Sequence, residues 1–226
     1  MWDIFDAKGK RLRTANEDIG ALSPGEYHMT GALALMDGAG RYLVVRDEKE
    51  NQGFLSFDVP EGKNSLNHCV ELLQTLGAED FSPVRLRMLD HQLIEELRAA
   101  VTVFWAEAEP KEAERLSALG EWLLPEDILS SVDMIQGLSR QLRFSAVEKR
   151  ISRLSGEKRV PRGMYRDRQG NEFEVMGIAV HTESGAPLVI YQGRRGGGLL
   201  AQPVVKWMKP VRTADGEQPR YAPERE

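Results

Sequence analysis

The chain has 226 residues, 41% of them hydrophobic and 29% charged, with a formal net charge of −5. That is the composition of a globular protein with room for one large domain or two modest ones, and it gives no global pull toward nucleic acid or an anionic membrane. The single cysteine, Cys69, excludes an intrachain disulfide and a cysteine-based zinc knuckle.

Taken in chain order, the opening MWDIFDAKGK lacks the basic-then-apolar layout of a signal peptide, and no apolar run reaches the length of a membrane span. A cytoplasmic protein without a membrane partner is expected. WDIFDAKGKRLRT alternates around Ala7-Lys8-Gly9-Lys10 and predicts a strand, a turn and a strand. YHMTGALALMDGAGRYLVVR predicts a hairpin, with apolar runs over residues 29–36 and 42–45 flanking Asp37-Gly38-Ala39-Gly40. The loop NQGFLSFDVPEG follows, punctuated by Pro60 and Gly62. Asn64 or Ser65 can cap a helix that turns Leu72, Leu73 and Leu76 inward and stops at Gly77. AAVTVFWAEA predicts a central strand, because it is apolar at nearly every position.

From Lys111 to about Ser152 the pattern is helical. Pro125 starts one helix, with Glu126 and Asp127 in its first turn and an apolar stripe through Ile128, Leu129, Val132, Ile135 and Leu138. EKRISRLSGEKRVPRG then reads as basic and polar, a linker. After it come short strands and glycine turns, as in a small barrel or sandwich. The expected division is residues 1–152 as an α/β domain, 153–160 as a linker, 161–212 as a small all-β barrel-like domain, and 213–226 as a disordered tail.

The order of elements in the first 150 residues resembles the Nudix superfamily, in its isopentenyl-diphosphate-isomerase-like branch. WDIFDAKGKRLRT and LSPGEYHMTGALALMDGAGRYLVVR are similar to that branch's opening. GFLSFDVPEG sits where the family has an aromatic–x–x–Pro–Gly–Gly turn, and GEWLLPEDILSSVDMI resembles its closing helix. The resemblance implies an α/β/α sandwich with a mixed sheet. It also implies a loop–helix box, Gly-x5-Glu-x7-Arg-Glu-U-x-Glu-Glu-x-Gly-U with U a bulky apolar residue, whose glutamates hold Mg²⁺ against a diphosphate.

Aligned on Gly77, Val70 stands at the arginine, Glu71 at the first helix glutamate, and Gln74 and Thr75 at the two metal-binding glutamates. The loop glutamate position falls on Gly62. One carboxylate of four survives, so the box is degenerate. Isomerase activity is not expected either, because Cys69 lies within the helix. The reading that follows is a non-hydrolytic protein without a cofactor, binding a small molecule or a protein, with Glu71 as the surviving candidate catalytic residue. A homodimer is compatible with it.

The alternative is a Mg²⁺-dependent hydrolase of a nucleoside-diphosphate-linked substrate, its metal site rebuilt from Glu61, His68, Glu71 and Glu95 or Glu96. Arg46, Arg85 and Arg87 are candidates for approaching an anion. His28 is expected to be a satisfied strand histidine.

The segment GMYRDRQGNEFEVMGIAVHTESGAPLVIYQ is similar to a short bacterial domain of unknown function. Gly163, Tyr165, Arg166, Gly170, Asn171, Val175, Gly177, Ala179, His181, Thr182, Glu183, Tyr191 and Pro203 match that module, whereas Asp167, Leu200 and Gln202 depart from it. By period two, His181 and Glu183 would share one strand face within reach of Arg166. Those three could line a pocket for an anion or a peptide, or could brace a barrel corner. This gives a third reading, a binding module centred on the β domain. GRRGGG lacks the Gly-Lys-Ser/Thr of a phosphate loop and is expected as a hairpin tip. The cations Lys149, Arg150, Arg153, Lys158, Arg159 and Arg162 come without an aromatic platform or readout helix, so nucleic acid is not indicated.

Overall fold

The computed structural model describes residues 1–16, 21–46, 52–130, 146–194, 196–213 and 216–224. The expected apolar positions Val132, Ile135 and Leu138 lie outside the described residues, as does Arg195 of GRRGGG. The chain is mixed α/β and divides into two compact units, Met1–Val147 and Glu148–Glu226. Among the described residues, no helix is long and apolar enough to cross a membrane.

In the first unit, β1 (Trp2–Phe5) and β2 (Arg11–Ala15) form the expected hairpin. Asp6 Oδ1 accepts from the Lys8 and Lys10 amides across its turn. The ten-residue β3 (Tyr27–Met36) leads through a second turn into β4 (Tyr42–Arg46). There Asp37 Oδ1 accepts from the Ala39 and Arg41 amides, and Gly40 takes φ +78°. This is a turn closed by a short acceptor side chain and completed by a residue without a Cβ.

β3 is the spine of the unit. Along one edge it pairs in parallel with β8 (Ala99–Glu107), from His28↔Ala99 to Met36↔Glu107. Its other edge takes β1, then β6 (Leu55–Asp58), then β4, all antiparallel. The short β5 (Gln52–Gly53) pairs with β4, and β7 (Arg87–Ile94) pairs with β8. AAVTVFWAEA is thus a central strand, between β3 and β7.

Helix α1 (Ser65–Thr75) is capped by Asn64, whose Oδ1 accepts from the Asn67 amide at 2.9 Å. It ends in a double closure, Ala78 N–H to Leu73 C=O and Gly77 N–H to Gln74 C=O, with Gly77 at φ +117°. Cys69, Val70 and Leu73 are buried against Leu33, Leu35 and Phe104. Alternation along β3 therefore puts Leu33 and Leu35 on the α1 face and His28 and Thr30 on the opposite face.

The helical reading of residues 111–152 holds only in parts. Helix α2 (Pro110–Leu116) is closed by a capping box between Glu109 and Glu112, but the chain then returns to the sheet as β9 (Gly120–Leu123), antiparallel to β4. Helix α3 (Pro125–Ser130) follows. β9 depends on Gly120, where a Cβ would lie 2.0 Å from the Val44 carbonyl oxygen. That obstacle is backbone and cannot rotate away. Gly120→Ala is expected to cost about 2 kcal/mol by pushing β9 off β4; a midpoint in urea unchanged from the parent would contradict this pairing.

The second unit corrects two expectations. Residues 153–160 are no linker: helix α4 (Ala146–Arg159) runs through them to Arg159. Its buried stripe is Ile151, Ser152, Ser155 and Gly156, continued by Val160 beyond its end. At Gly156 the stripe is closely approached by Ile178 and Pro187; a Cβ there would sit 2.8 Å from the Ile178 side chain. Three strands, β10 (Gly163–Asp167), β11 (Glu172–Val180) and β12 (Pro187–Gly193), form an antiparallel meander extended by β13 (Leu200–Pro203).

The one-turn helix α5 (Val204–Trp207) follows, then a two-stranded ribbon of β14 (Val211–Thr213) and β15 (Gly216–Gln218). The expected disordered tail is instead structured through β16 (Tyr221–Pro223), which pairs with β10. Its anchor is Tyr221, stacked on Trp207 at 4.0 Å between ring centroids with planes 18° apart. Among the described residues the strand order β13-β12-β11-β10-β16 is open, so the pairing gives a sheet rather than a hydrogen-bonded barrel.

Candidate functional site

Helix α1 carries Glu71 in an ordinary surface pair. Glu71 is half exposed, bonded to the Lys63 ammonium, with His68 Nδ1 at 3.6 Å. The Lys63 bond is the main reason its carboxyl is held below the usual range. His68 also meets the Phe57 ring edge-on, with centroids 5.5 Å apart. Gln74 and Thr75, the positions the resemblance gives to metal-binding glutamates, have other uses. Gln74 Nε2 donates to the Phe81 carbonyl at 3.0 Å, and Thr75 Oγ1 donates to the Glu71 carbonyl at 2.8 Å. Val70, at the arginine position, points into the core. Burial pushes the Cys69 thiol up to about 12, which leaves it neutral and unreactive.

The other acids offered for a rebuilt metal site go elsewhere. Glu61 accepts from Thr14 Oγ1 at 3.2 Å and faces Arg11 at 3.5 Å on the β1–β2 hairpin. Glu95 accepts from Tyr27 Oη at 2.8 Å and pairs with Arg98 at 2.6 Å. Glu96 is exposed in the turn before β8. Among the described residues no three His, Cys, Asp or Glu side chains are grouped to hold a metal ion. A set of one paired Glu, one amide and one hydroxyl does not fit Mg²⁺, which favours several hard anionic oxygens and surrenders its waters reluctantly.

The arginines differ from one another. Arg85 grips Glu112 through two bonds of 2.8 and 2.7 Å, donates to the Glu107 carbonyl, and lies 4.5 Å over the Phe81 ring. Burial raises the Glu112 carboxyl, but Arg85 and the Glu109 amide outweigh it and hold the carboxyl below its usual range. Arg85 is a structural clamp, with its donors already engaged. Arg87 lies over Trp105, 5.4 Å from its ring. Arg46 faces Glu121 at 3.8 Å beside a shallow cavity of about 270 Å³ lined by Val44 and residues 117–121.

Arg166, His181 and Glu183 are not brought together. Arg166 binds Glu172 at 2.9 Å and Glu224 at 2.6 Å, at the end of the sheet where β10 turns into β11. His181 lies past the opposite end of β11 and accepts through Nδ1 from the Ser184 amide in the next turn. At about 3.3 Å per residue, nine residues of strand separate the two ends by roughly 30 Å. The face-sharing of His181 and Glu183 fails because β11 stops at Val180.

Sequence reasoning missed the polar cluster on the other sheet face. His28 is 3% exposed, and both ring nitrogens are engaged: Nδ1 with the Arg98 carbonyl at 2.9 Å, Nε2 with Thr30 Oγ1 at 2.8 Å and Asp58 Oδ1 at 3.1 Å. His28 is thus satisfied as expected. It also lines a cavity of about 260 Å³ with Thr30, Ser56, Phe57, Asp58, Leu97 and Ala99. His28 is the main reason the Asp58 carboxyl is held below its usual range. The available signal was two polar residues spaced by two, His28 and Thr30, inside an otherwise apolar strand.

Several solved structures are similar to parts of the chain. A crystal structure of DR0079 from Deinococcus radiodurans is 15% identical, covers 63% of this chain and 96% of that one, and has a TM-score of 0.47. The solution NMR structure of the same protein, described as a hypothetical Nudix protein, covers 63% and 91% at 15% identity with a TM-score of 0.37. A crystal structure of a DUF1653 protein from Bordetella bronchiseptica is 29% identical, covers 28% of this chain and 85% of that one, and has a TM-score of 0.26. No curated protein matches the chain. Residues 163–223, within the second unit, match the family model described as a protein of unknown function, DUF1653.

Proposed function

We propose that the first unit is a Nudix-type domain of the isomerase-like branch that has lost metal-dependent hydrolysis and works by binding. The observation that carries this is the state of the box positions on α1. Glu71 is neutralised by Lys63, Gln74 is bonded to the Phe81 carbonyl, and Thr75 is bonded back to its own helix. Restoring a metal site would require breaking the Lys63 pair and supplying at least two further carboxylates. The sequence resemblance over the first 150 residues supports the family, and the four departures from its box, Gly62, Val70, Gln74 and Thr75, support the loss. No observation favours a pocket in the second unit built on Arg166, His181 and Glu183.

The test is release of nucleoside monophosphate from a panel of nucleoside-diphosphate-linked compounds, with Mg²⁺ and with EDTA, for the full chain and for Glu71→Ala. The expected result is no Mg²⁺-dependent release from either protein and unchanged thermal unfolding of the variant, since an exposed pair contributes little. Release that Glu71→Ala abolishes would overturn the reading.

A further inference from the structure

The two units carry charge of opposite sign. The first has 25 Asp and Glu against 15 Lys and Arg, a net −10, and the second has 10 against 15, a net +5. All of that positive excess lies in residues 148–168, where eight Lys and Arg meet three Asp and Glu. From residue 169 onward the two kinds are equal in number. Five of the eight cations, Lys149, Arg150, Arg153, Lys158 and Arg159, stand on helix α4.

In a linker these cations would have no fixed arrangement, but a helix gives them one. At 3.6 residues per turn, Lys149, Arg150, Arg153 and Glu157 fall within about 100° of arc. The three cations are exposed and Glu157 is half-buried. Among the described residues no acid stands at ion-pair distance from Lys149 or Arg150. Arg153 Nε lies 3.8 Å from Glu157, in a pair that water reaches and screens.

The chemistry of the arc selects the partner. The far side of α4 is committed to its own unit, with Ile151 and Ser155 buried. A helix lying in a membrane interface gives its apolar face to the lipid, and α4 has none to give. The exposed arc carries no aromatic residue on which unpaired bases could stack. What it offers is charge alone, which suits the phosphates of a duplex, spaced at about one charge per 1.7 Å of axis. Contacts of this kind position a protein without reading sequence, so they need neither a stacking platform nor a readout helix. The first unit, at −10, repels the same polyanion, so the attraction has to come from the second.

We infer that the exposed face of α4, through Lys149, Arg150 and Arg153, docks on the phosphate backbone of a nucleic-acid duplex without sequence preference. This goes beyond the binding reading of the first unit and rests on none of its residues, so neither outcome at Glu71 bears on it.

The test follows the fluorescence anisotropy of a labelled DNA duplex about two helical turns long as the full chain is added. Binding is expected at about 50 mM salt and should weaken about 40-fold by about 200 mM, the dependence for three neutralised phosphates. The triple variant Lys149→Gln, Arg150→Gln, Arg153→Gln is expected to bind at least about tenfold more weakly, with a flattened salt dependence. A second triple, Lys206→Gln, Lys209→Gln, Arg212→Gln, removes the same charge from exposed positions off the helix and is expected to stay within about twofold of the parent. Equal weakening by the two triples would assign the attraction to net charge and overturn the face. Absence of binding by the parent at about 50 mM salt would overturn the surface altogether. Tighter binding to the unpaired strand, or to vesicles of equal parts phosphatidylcholine and phosphatidylserine, would overturn the duplex as its partner.

Discussion

Trp207→Ala is expected to lower the stability of the second unit by about 4 kcal/mol. Trp207 is 2% exposed and stands where four aromatic rings converge. It stacks on Tyr221 at 4.0 Å, meets Tyr191 at 4.9 Å and meets Tyr165 at 5.6 Å, while Phe173 touches Tyr221 and Tyr191 from the far side. The cluster also contains Val160, Val175, Val189 and Val204. Removing the indole forfeits its transfer free energy and leaves a cavity that rigid rings close poorly.

The loss should be felt first in β16, which has three residues and is held by Tyr221 and by the β10 ladder. Hydrogen exchange should report it at the Glu224 amide, bonded to the Met164 carbonyl at 2.8 Å. Trp207→Phe keeps an aromatic face and is expected to cost less than half as much. A change below about 1 kcal/mol for Trp207→Ala would mean that the indole is not the keystone of this core.

Arg85→Ala is expected to cost about 3 kcal/mol in the first unit. The guanidinium is 23% exposed and its partner Glu112 is 11% exposed, so the truncation strands a carboxylate where water reaches it poorly. It also removes the bond to the Glu107 carbonyl and the cover over Phe81. Glu112 accepts from the Glu109 amide at 2.7 Å as well, and so ties the start of α2 to the same clamp. Because the two side chains act together, the double variant with Glu112→Ala should be more stable than the sum of the single losses by about 1–2 kcal/mol. Denaturant unfolding of the four proteins decides the point, and strict additivity would contradict the clamp.

What the sequence made legible was what is local. The turns at Gly9 and Gly40, the Asn64 cap and the Gly77 stop each depend on a few adjacent residues whose chemistry permits little else. The central strand through Val101 and Val103 was visible because continuous apolarity leaves few other fates. Signals written in small residues were lost. Gly120 permits β9 to approach Val44, and Ser152, Ser155 and Gly156 form a buried helix stripe, yet each looks like a break or a polar linker on the page.

Long-range partners were lost as well. Asp58 meets His28 across thirty positions and the Arg98 carbonyl meets it across seventy, and no local pattern announces either contact. The expected grouping of Arg166 with His181 and Glu183 failed for a simpler reason. Period two predicts a shared face only while the strand lasts.

The proposed binding function requires that α1 hold no metal ion, and a paramagnetic titration checks this. Mn²⁺ added to the ¹⁵N-labelled full chain broadens amides close to a bound ion. The result expected is no selective loss of signal around Lys63, His68, Glu71 and Thr75 before general surface broadening sets in. Selective bleaching centred on Glu71, reversed by EDTA and absent in Glu71→Ala, would mean that α1 binds a metal ion and would overturn the proposed loss of metal-dependent hydrolysis.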